Sequence, residues 1–264
     1  MMKKLRMAIV GCGDIARFMA LGCRLNRGFD LCACVDVNPE RARRFARFFL
    51  IPRWFTDYGA MLEQVKPSVV YLAVPHVLHR TMACQALDHG AHVFCEKPIA
   101  ATLADGLAIV ENALLAGLKV GVNYQYRYDA GCYALAQAAR SGALGAIRYA
   151  RCNLPWHRED AYFSASPWHG SLTATGGGTL ITQASHILDV LLWASHARPV
   201  AAMGLTARRR FTNVEVEDLA MGTVELSDGS LIEVTSSMVA VPEQAVTIEL
   251  YGSEATACYR GAIM

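Results

Sequence analysis

From residue 6 to residue 124 the sequence alternates short apolar runs with segments whose apolar residues recur at helical spacing, and no other feature restricts the fold as tightly. "RMAIVGCG" ends in glycines and leads into the amphipathic "DIARFMALGCRLNRG", with a stop signal at Gly28. "DLCACVD" follows, then "NPERARRFARFF", where Asn38 can cap a helix and Pro39 suits its first turn. "SVVYLAVP" precedes "HRTMACQALDHG", a helix stopped at Gly90. "AHVFCEKP" precedes a helix from Thr102 to about Ala116, with Gly117 past its end, and "KVGVNYQYRY" closes the series. Strands this uniformly apolar, separated by helices, predict a parallel sheet covered on both faces. Ligands of such sheets bind at the carboxyl ends of the strands, so Glu96 and Lys97 are expected at the ligand edge, outside the core.

Beyond residue 125 the pattern changes. A helix over Ala130 to Arg140 leads to "AIRYARCNLPWH", and a glycine-rich helix start stands at 176 to 178. "VAAMGLTARRR", "EDLAMGTVEL", "SLIEVTSSMV" and "AVTIELYG" follow, several of them alternating, with Ser227-Asp228-Gly229-Ser230 as a hairpin turn. The prediction is a second, α+β domain with a mostly antiparallel open sheet and helices on one face. The boundaries are 1–122 for the α/β domain and 123–264 for the α+β domain, a division that 264 residues readily accommodate.

Composition narrows the function classes. Hydrophobic residues make up 53% and charged residues 18%, the balance of an ordered globular chain. A net charge of +2 implies no polyanion-binding surface, so no nucleic-acid partner is expected, and the clusters Arg41, Arg43, Arg44, Arg47 and Arg208 to Arg210 read as solvated faces. The apolar stretch after the basic start is too short for a signal peptide, and no run reaches the roughly 18 residues that a membrane span needs. Nine scattered cysteines without a Cys-x-x-Cys pair suit reduced thiols in the cytoplasm. His76/His79 and His89/His92 have the spacing of metal pairs, but nothing nearby completes a site, so no metal is expected.

"VGCGDIA" places Gly11 and Gly13 between a strand and a helix, with Ala16 in the third small-residue position. Glycines there permit a tight turn and let the backbone approach a pyrophosphate at the helix N-terminus. Asp36 ends the second strand, where an acid would bind ribose hydroxyls and disfavour the extra phosphate of NADP. NAD is therefore the expected cofactor, NADP being less favoured. Arg41 and Arg43 are the nearby residues able to accommodate that phosphate.

Together "VGCGDIA", "LAVPHVLH", "EKPIA" and "GGGTLITQASHILDVLLW" resemble the Gfo/Idh/MocA oxidoreductases, from the first strand to about residue 252. The resemblance implies a Rossmann domain joined to an open-sheet domain, nicotinamide chemistry on sugars, cyclitols or sugar nucleotides, and homo-oligomers formed through the second sheet. It also implies further strands and a final helix beyond the point where this sequence stops. Carried onto this chain, the cofactor contacts are Gly11, Gly13, Asp14, Ile15, Asp36, Ala73, Pro75, His76, His79, Glu96, Lys97 and Gln125, and a cis peptide is implied before Pro98.

Lys97 can also be read without the family. A lysine at a strand edge beside a cofactor presents a point charge to a substrate oxygen, partial burial makes its proton mobile, and Glu96 can tune or orient it. On a helix Thr182, His186 and Asp189 fall on one face, which makes His186 the candidate base for an alcohol proton and Asp189 the group that holds or polarises it. Many family members carry aspartate where this chain has Thr182, whose hydroxyl can bond a substrate but takes no proton at neutral pH. Tyr124, Arg127, Arg158, Tyr162, Trp168 and His169 complete the candidate substrate contacts, the last four from "WHREDAYFSASPWHG", which resembles a family substrate loop. The expected activity is hydride transfer between NAD and a carbinol of a sugar or cyclitol, in the geometry that sets Lys97 and His186 about one nicotinamide ring. The alternatives are a sugar-nucleotide dehydrogenase and a non-catalytic dinucleotide-binding regulator, the latter kept open by Thr182.

Overall fold

The computed structural model describes residues 4–261, which divide into two compact units between Asn123 and Tyr124. In the first unit the order is β1 (Leu5–Val10), α1 (Asp14–Leu25), β2 (Phe29–Val35), α2 (Pro39–Phe48), β3 (Trp54–Phe55), α3 (Tyr58–Val65), β4 (Val69–Leu72), α4 (His79–Asp88), β5 (His92–Glu96), α5 (Leu103–Ala116) and β6 (Val120–Asn123). All six strands run parallel in the order β3-β2-β1-β4-β5-β6. The strand order reverses between β1 and β4, the switch point where such sheets open a crevice. Side chains alternate between two cores. Val70, Leu72, Val93 and Cys95 face one core with α3, α4 and α5, and Ile9 and Tyr71 face the other with α1 and α2.

Local signals explain the element ends. The Asn38 side chain accepts from Arg41 N and Pro39 opens α2. Thr102 caps α5 by accepting from Asp105 N, and Gly117 closes it in the left-handed region at φ 65°. The sequence reading passed over β3 and α3. A two-residue strand carries no periodicity, and α3 is announced only by its cap, Asp57, which accepts from Ala60 N.

The second unit contains α6 (Ala130–Arg140), β7 (Ile147–Pro155), short helical turns at Ala161–Ser164, Pro167–Gly170 and Leu172–Thr175, then a π-helical turn at Leu180–Ala184 running into α7 (Ser185–Ser195). Five strands follow: β8 (Pro199–Ala207), β9 (Leu219–Leu226), β10 (Leu231–Ser237), β11 (Val246–Gly252) and β12 (Thr256–Gly261). The sheet order is β12-β11-β7-β10-β9-β8, antiparallel except for β7 beside β10. Ala150, Cys152 and Leu154 alternate inward to pack with Ile187 and Leu191 of α7 and Leu135 and Ala136 of α6. The other face is open. Its apolar end carries Met203, Leu205 and Met221, exposed at 77%, 83% and 55%.

Candidate active site

In the first unit the glycine turn is shaped by close approach. Gly11 has φ +86°, and a Cβ there would overlap the carbonyl of Ala73 at the end of β4. Gly13 has no neighbour within 4 Å of where a Cβ would stand, and no side chain caps α1. The first N–H groups of α1 are thus left without a side-chain cap, as a pyrophosphate cradle requires. Asp36 is buried at the end of β2. One of its oxygens accepts from Cys12 N at 2.9 Å and the other from Asn38 N at 2.9 Å, with Arg41 3.7 Å away. The acid thus fixes the turn while keeping lone pairs for ribose hydroxyls, and these residues fit NAD. Asp14 and Ile15 are exposed in the first turn of α1, as a cradle lip would be.

Lys97 follows β5, partly buried, and its peptide with Pro98 is cis. Burial draws its pKa down from 10.5 to about 8 against the opposing pull of Glu96. Glu96 corrects the sequence reading. It does not lie outside the core but is buried, only 8% exposed, and its Oε1 accepts from the Tyr71 hydroxyl and from Asn123 Nδ2 at 2.8 Å. His79 is corrected too. It is completely buried, Nδ1 lying 3.0 Å from Pro98 O and 3.3 Å from Ile99 O, and Nε2 3.1 Å from Val74 O. Its surroundings are those of a brace between the loops after β4 and β5, with no surface left for a cofactor. Burial lowers its pKa, the carbonyls pulling the other way. His76 is buried 5.8 Å from the His79 ring, in a 3-10 turn that Pro75 introduces.

In the second unit His186 is buried near the start of α7 between two phenol rings, Tyr124 at 6.1 Å and 90° and Tyr126 at 5.1 Å and 44°. Asp189, expected to hold or polarise this imidazole, is engaged by Arg127. Both Asp189 oxygens accept from Arg127, Nε to Oδ2 and Nη2 to Oδ1, each at 2.6 Å. Arg127, expected on substrate, is thereby committed to Asp189, with Trp193 5.5 Å from its guanidinium carbon. The regular helical phase predicted for Thr182, His186 and Asp189 is broken as well, because Thr182 sits in the π-helical turn. Its hydroxyl donates back to Gly178 O at 2.7 Å.

The loop residues gather around Tyr162. His169 stacks on its ring at 4.6 Å and 13°, Trp168 leans on His169 at 4.1 Å, and Arg158 lies over Trp156 at 4.5 Å. The Tyr162 phenol neighbours Gln183 and Thr182, and burial raises its pKa. Arg158 also donates to His157 O at 2.7 Å and to Glu243 at 3.3 Å. Gln125 is exposed in the turn after β6.

Sequence reasoning missed Tyr71, Asn123, Tyr126 and Glu217. The Glu217 carboxylate accepts from Gly178 N at 2.6 Å and Leu180 N at 3.1 Å, capping the turn that leads to His186. A Cβ on Gly178 would overlap the Glu217 carbonyl, which explains the glycine run. No local signal reveals such partners. Only the alternation that points Tyr71, two strands away from β6, toward the face of Glu96 was available in advance. Among the described residues no three His, Cys, Asp or Glu side chains gather as metal ligands, and no helix is long and apolar enough to cross a membrane.

A parallel sheet in this order, a glycine turn opening onto α1 and an acid at the end of β2 define a dinucleotide-binding enzyme of the Rossmann class. Two domain models match the chain, one described as an oxidoreductase family with an NAD-binding Rossmann fold over residues 5–124, the other as the GFO/IDH/MocA C-terminal domain over residues 133–258. The chain belongs to the Gfo/Idh/MocA oxidoreductase family, and its first unit is that family's NAD-binding domain. It is 27% identical to the 1,5-anhydro-D-fructose reductase of Ensifer adhaerens, over 86% of this chain and 68% of that protein. It is 26% identical to the D-glucoside 3-dehydrogenase of Escherichia coli, over 92% and 73%. Matches to two other curated relatives, over 54% and 74% of this chain, span 38% and 49% of their length. The crystal structure of the WlbA dehydrogenase from Bordetella pertussis, in complex with NADH and UDP-GlcNAcA, is 29% identical with a TM-score of 0.89, covering 98% of this chain and 79% of that one.

Proposed function

We propose that the chain transfers a hydride between NAD and a carbinol carbon of a sugar or cyclitol, with Lys97 and His186 handling charge and proton. Bound NAD supplies the hydride acceptor in oxidation and, reduced, the donor in the reverse direction. Gly11, Gly13 and Asp36 hold the dinucleotide. As the C–H electron pair leaves with the hydride, the hydroxyl proton passes to a ring nitrogen of His186, imidazole being the side chain chemically suited to accept it. The Lys97 ammonium stabilises the oxygen while it carries alkoxide charge, until the carbonyl forms. Thr182 offers hydroxyl lone pairs to a substrate O–H.

The observation that carries this reading is Lys97, a partly buried ammonium at the carboxyl end of β5 in an NAD-binding domain, with its pKa drawn to about 8. The sign of the pH dependence follows. The ammonium is present below that value and lost above it, so turnover falls as pH rises through about 8. Lys97→Met is expected to lower kcat by about 10³-fold, read by NADH absorbance. Unchanged turnover would end the assignment.

A sugar nucleotide is the second substrate class, supported by the likeness to the WlbA dehydrogenase. Thermal shifts in the presence of NAD with free sugars, inositols and UDP-sugars separate the two classes. The nine free cysteines support a reducing, cytoplasmic setting. The apolar end of the open sheet face, Met203, Leu205 and Met221, supports self-association.

A further inference from the structure

Tyr71 is the largest side chain of the first unit's sheet to be completely buried, and it takes no part in the chemistry described above. A buried phenol needs a partner for its hydroxyl, and here the partner is Glu96. The register explains the meeting. Tyr71 is the Cα partner of Phe94, two residues before Glu96 and on the same face of the sheet, so the length of the ring carries the hydroxyl along to the carboxylate. Asn123 is the direct Cα partner of Glu96 on β6 and reaches the same oxygen, Oε1, at 2.8 Å. Three adjacent strands thus converge at their carboxyl ends on one carboxylate oxygen.

Both donors are neutral. They fix the carboxylate's orientation and bring no positive charge to set against it, as a guanidinium or ammonium would. The uncancelled charge belongs to the residue directly before Lys97, and it favours the protonated lysine against the burial that opposes it. The titratable groups facing Glu96 are Tyr71 from β4, Cys95 and Lys97 beside it, and His79 from α4.

We propose that Tyr71 is a positioning residue for the reaction: with Asn123 it holds Glu96 as an un-neutralised anion behind Lys97, and so keeps the ammonium charged and in place. The proposal rests on the role given to Lys97 above, and its test separates the two. Amine labelling of Lys97 with trinitrobenzenesulfonate, followed by mass spectrometry from roughly pH 6 to 10, reads the neutral fraction directly, without turnover. Glu96→Gln keeps the hydrogen-bonding shape and removes the charge, and should move the labelling midpoint down by about one pH unit. Tyr71→Phe keeps the ring and should move it the same way by about half as much. The double variant should match Glu96→Gln alone, because Tyr71 acts through that carboxylate. The falling limb of the kcat profile, measured at saturating NAD, should follow the midpoint in each variant.

A Tyr71→Phe midpoint equal to that of the parent, or a double variant shifted well beyond Glu96→Gln, overturns the proposal. If Tyr71→Phe does not fold, Asn123→Ala removes the other donor to the same oxygen and must give the downward shift, and its absence overturns the proposal equally. A midpoint that moves while turnover does not supports the electrostatic link and ends the catalytic role of Lys97 instead.

Discussion

Glu96 and Asp189 are carboxylates placed beside candidate catalytic groups, one in each unit, and the two are held in opposite ways. Glu96 is bonded by a phenol and an amide, both neutral. Asp189 is gripped by both arms of Arg127. The first arrangement preserves a negative charge where a neighbouring lysine feels it, and the second cancels the charge and converts it into a mechanical joint. A carboxylate next to a candidate catalytic residue therefore does not by itself define an electrostatic partner. The donor set around it decides. In this chain the carboxylate before Lys97 has neutral hydrogen-bond donors, and the one after His186 ties the turn at Gln125–Tyr128 to α7.

The widest test of this contrast is Gly178→Ala. A Cβ there would overlap the Glu217 carbonyl and come within 2.7 Å of Glu217 N, displacing the capped turn that leads to His186 and Asp189. A destabilisation of about 3 kcal/mol or more is expected, with NADH binding retained because its cradle lies in the first unit. Calorimetry with NADH titration checks both halves of the statement. If NADH affinity falls in step with stability, the two halves are not separable in this way.

A smaller effect sharpens the comparison itself. Arg127→Ala should cost about 2 kcal/mol in denaturant unfolding, since it removes two charge-assisted hydrogen bonds and strands a largely buried carboxylate. Adding Asp189→Asn should recover part of that loss, because an amide tolerates the vacated site better than an anion. A double variant no more stable than Arg127→Ala would mean that the pair matters through packing on Trp193 and that the charge itself is incidental.

Much of the first unit was legible because its signals are local. Glycines mark the turn and the stops, Asn38 and Thr102 announce their helices, and uniformly apolar strands call for a covered parallel sheet. The mixed second sheet was legible from alternation and from the turn at Gly229, φ +84°. The candidate site was read as a set of residues, and the relationships among them were not carried by spacing. Helical spacing grouped Thr182, His186 and Asp189, but a π-helical turn shifted the phase and Arg127, distant in sequence, claimed the acid. His79 was expected as a cofactor contact because the family resemblance places Pro75, His76 and His79 where the nicotinamide ribose is met. Two of the three carbonyls it meets, those of Pro98 and Ile99, lie about twenty residues away, which spacing does not report.

The edge ribbon of the second sheet has a consequence of its own. Gly204 on β8 stands directly opposite Gly222 on β9, and nearly the whole of β8 is exposed. With no side chains to interlock at the middle of the pair, the strand is retained chiefly by its ladder of amides. Hydrogen–deuterium exchange should find β8 the first strand of this sheet to trade its protons, well ahead of β7 and β10 at the centre. Protection of β8 that rises with protein concentration would identify the same strip as the seam between copies of the chain.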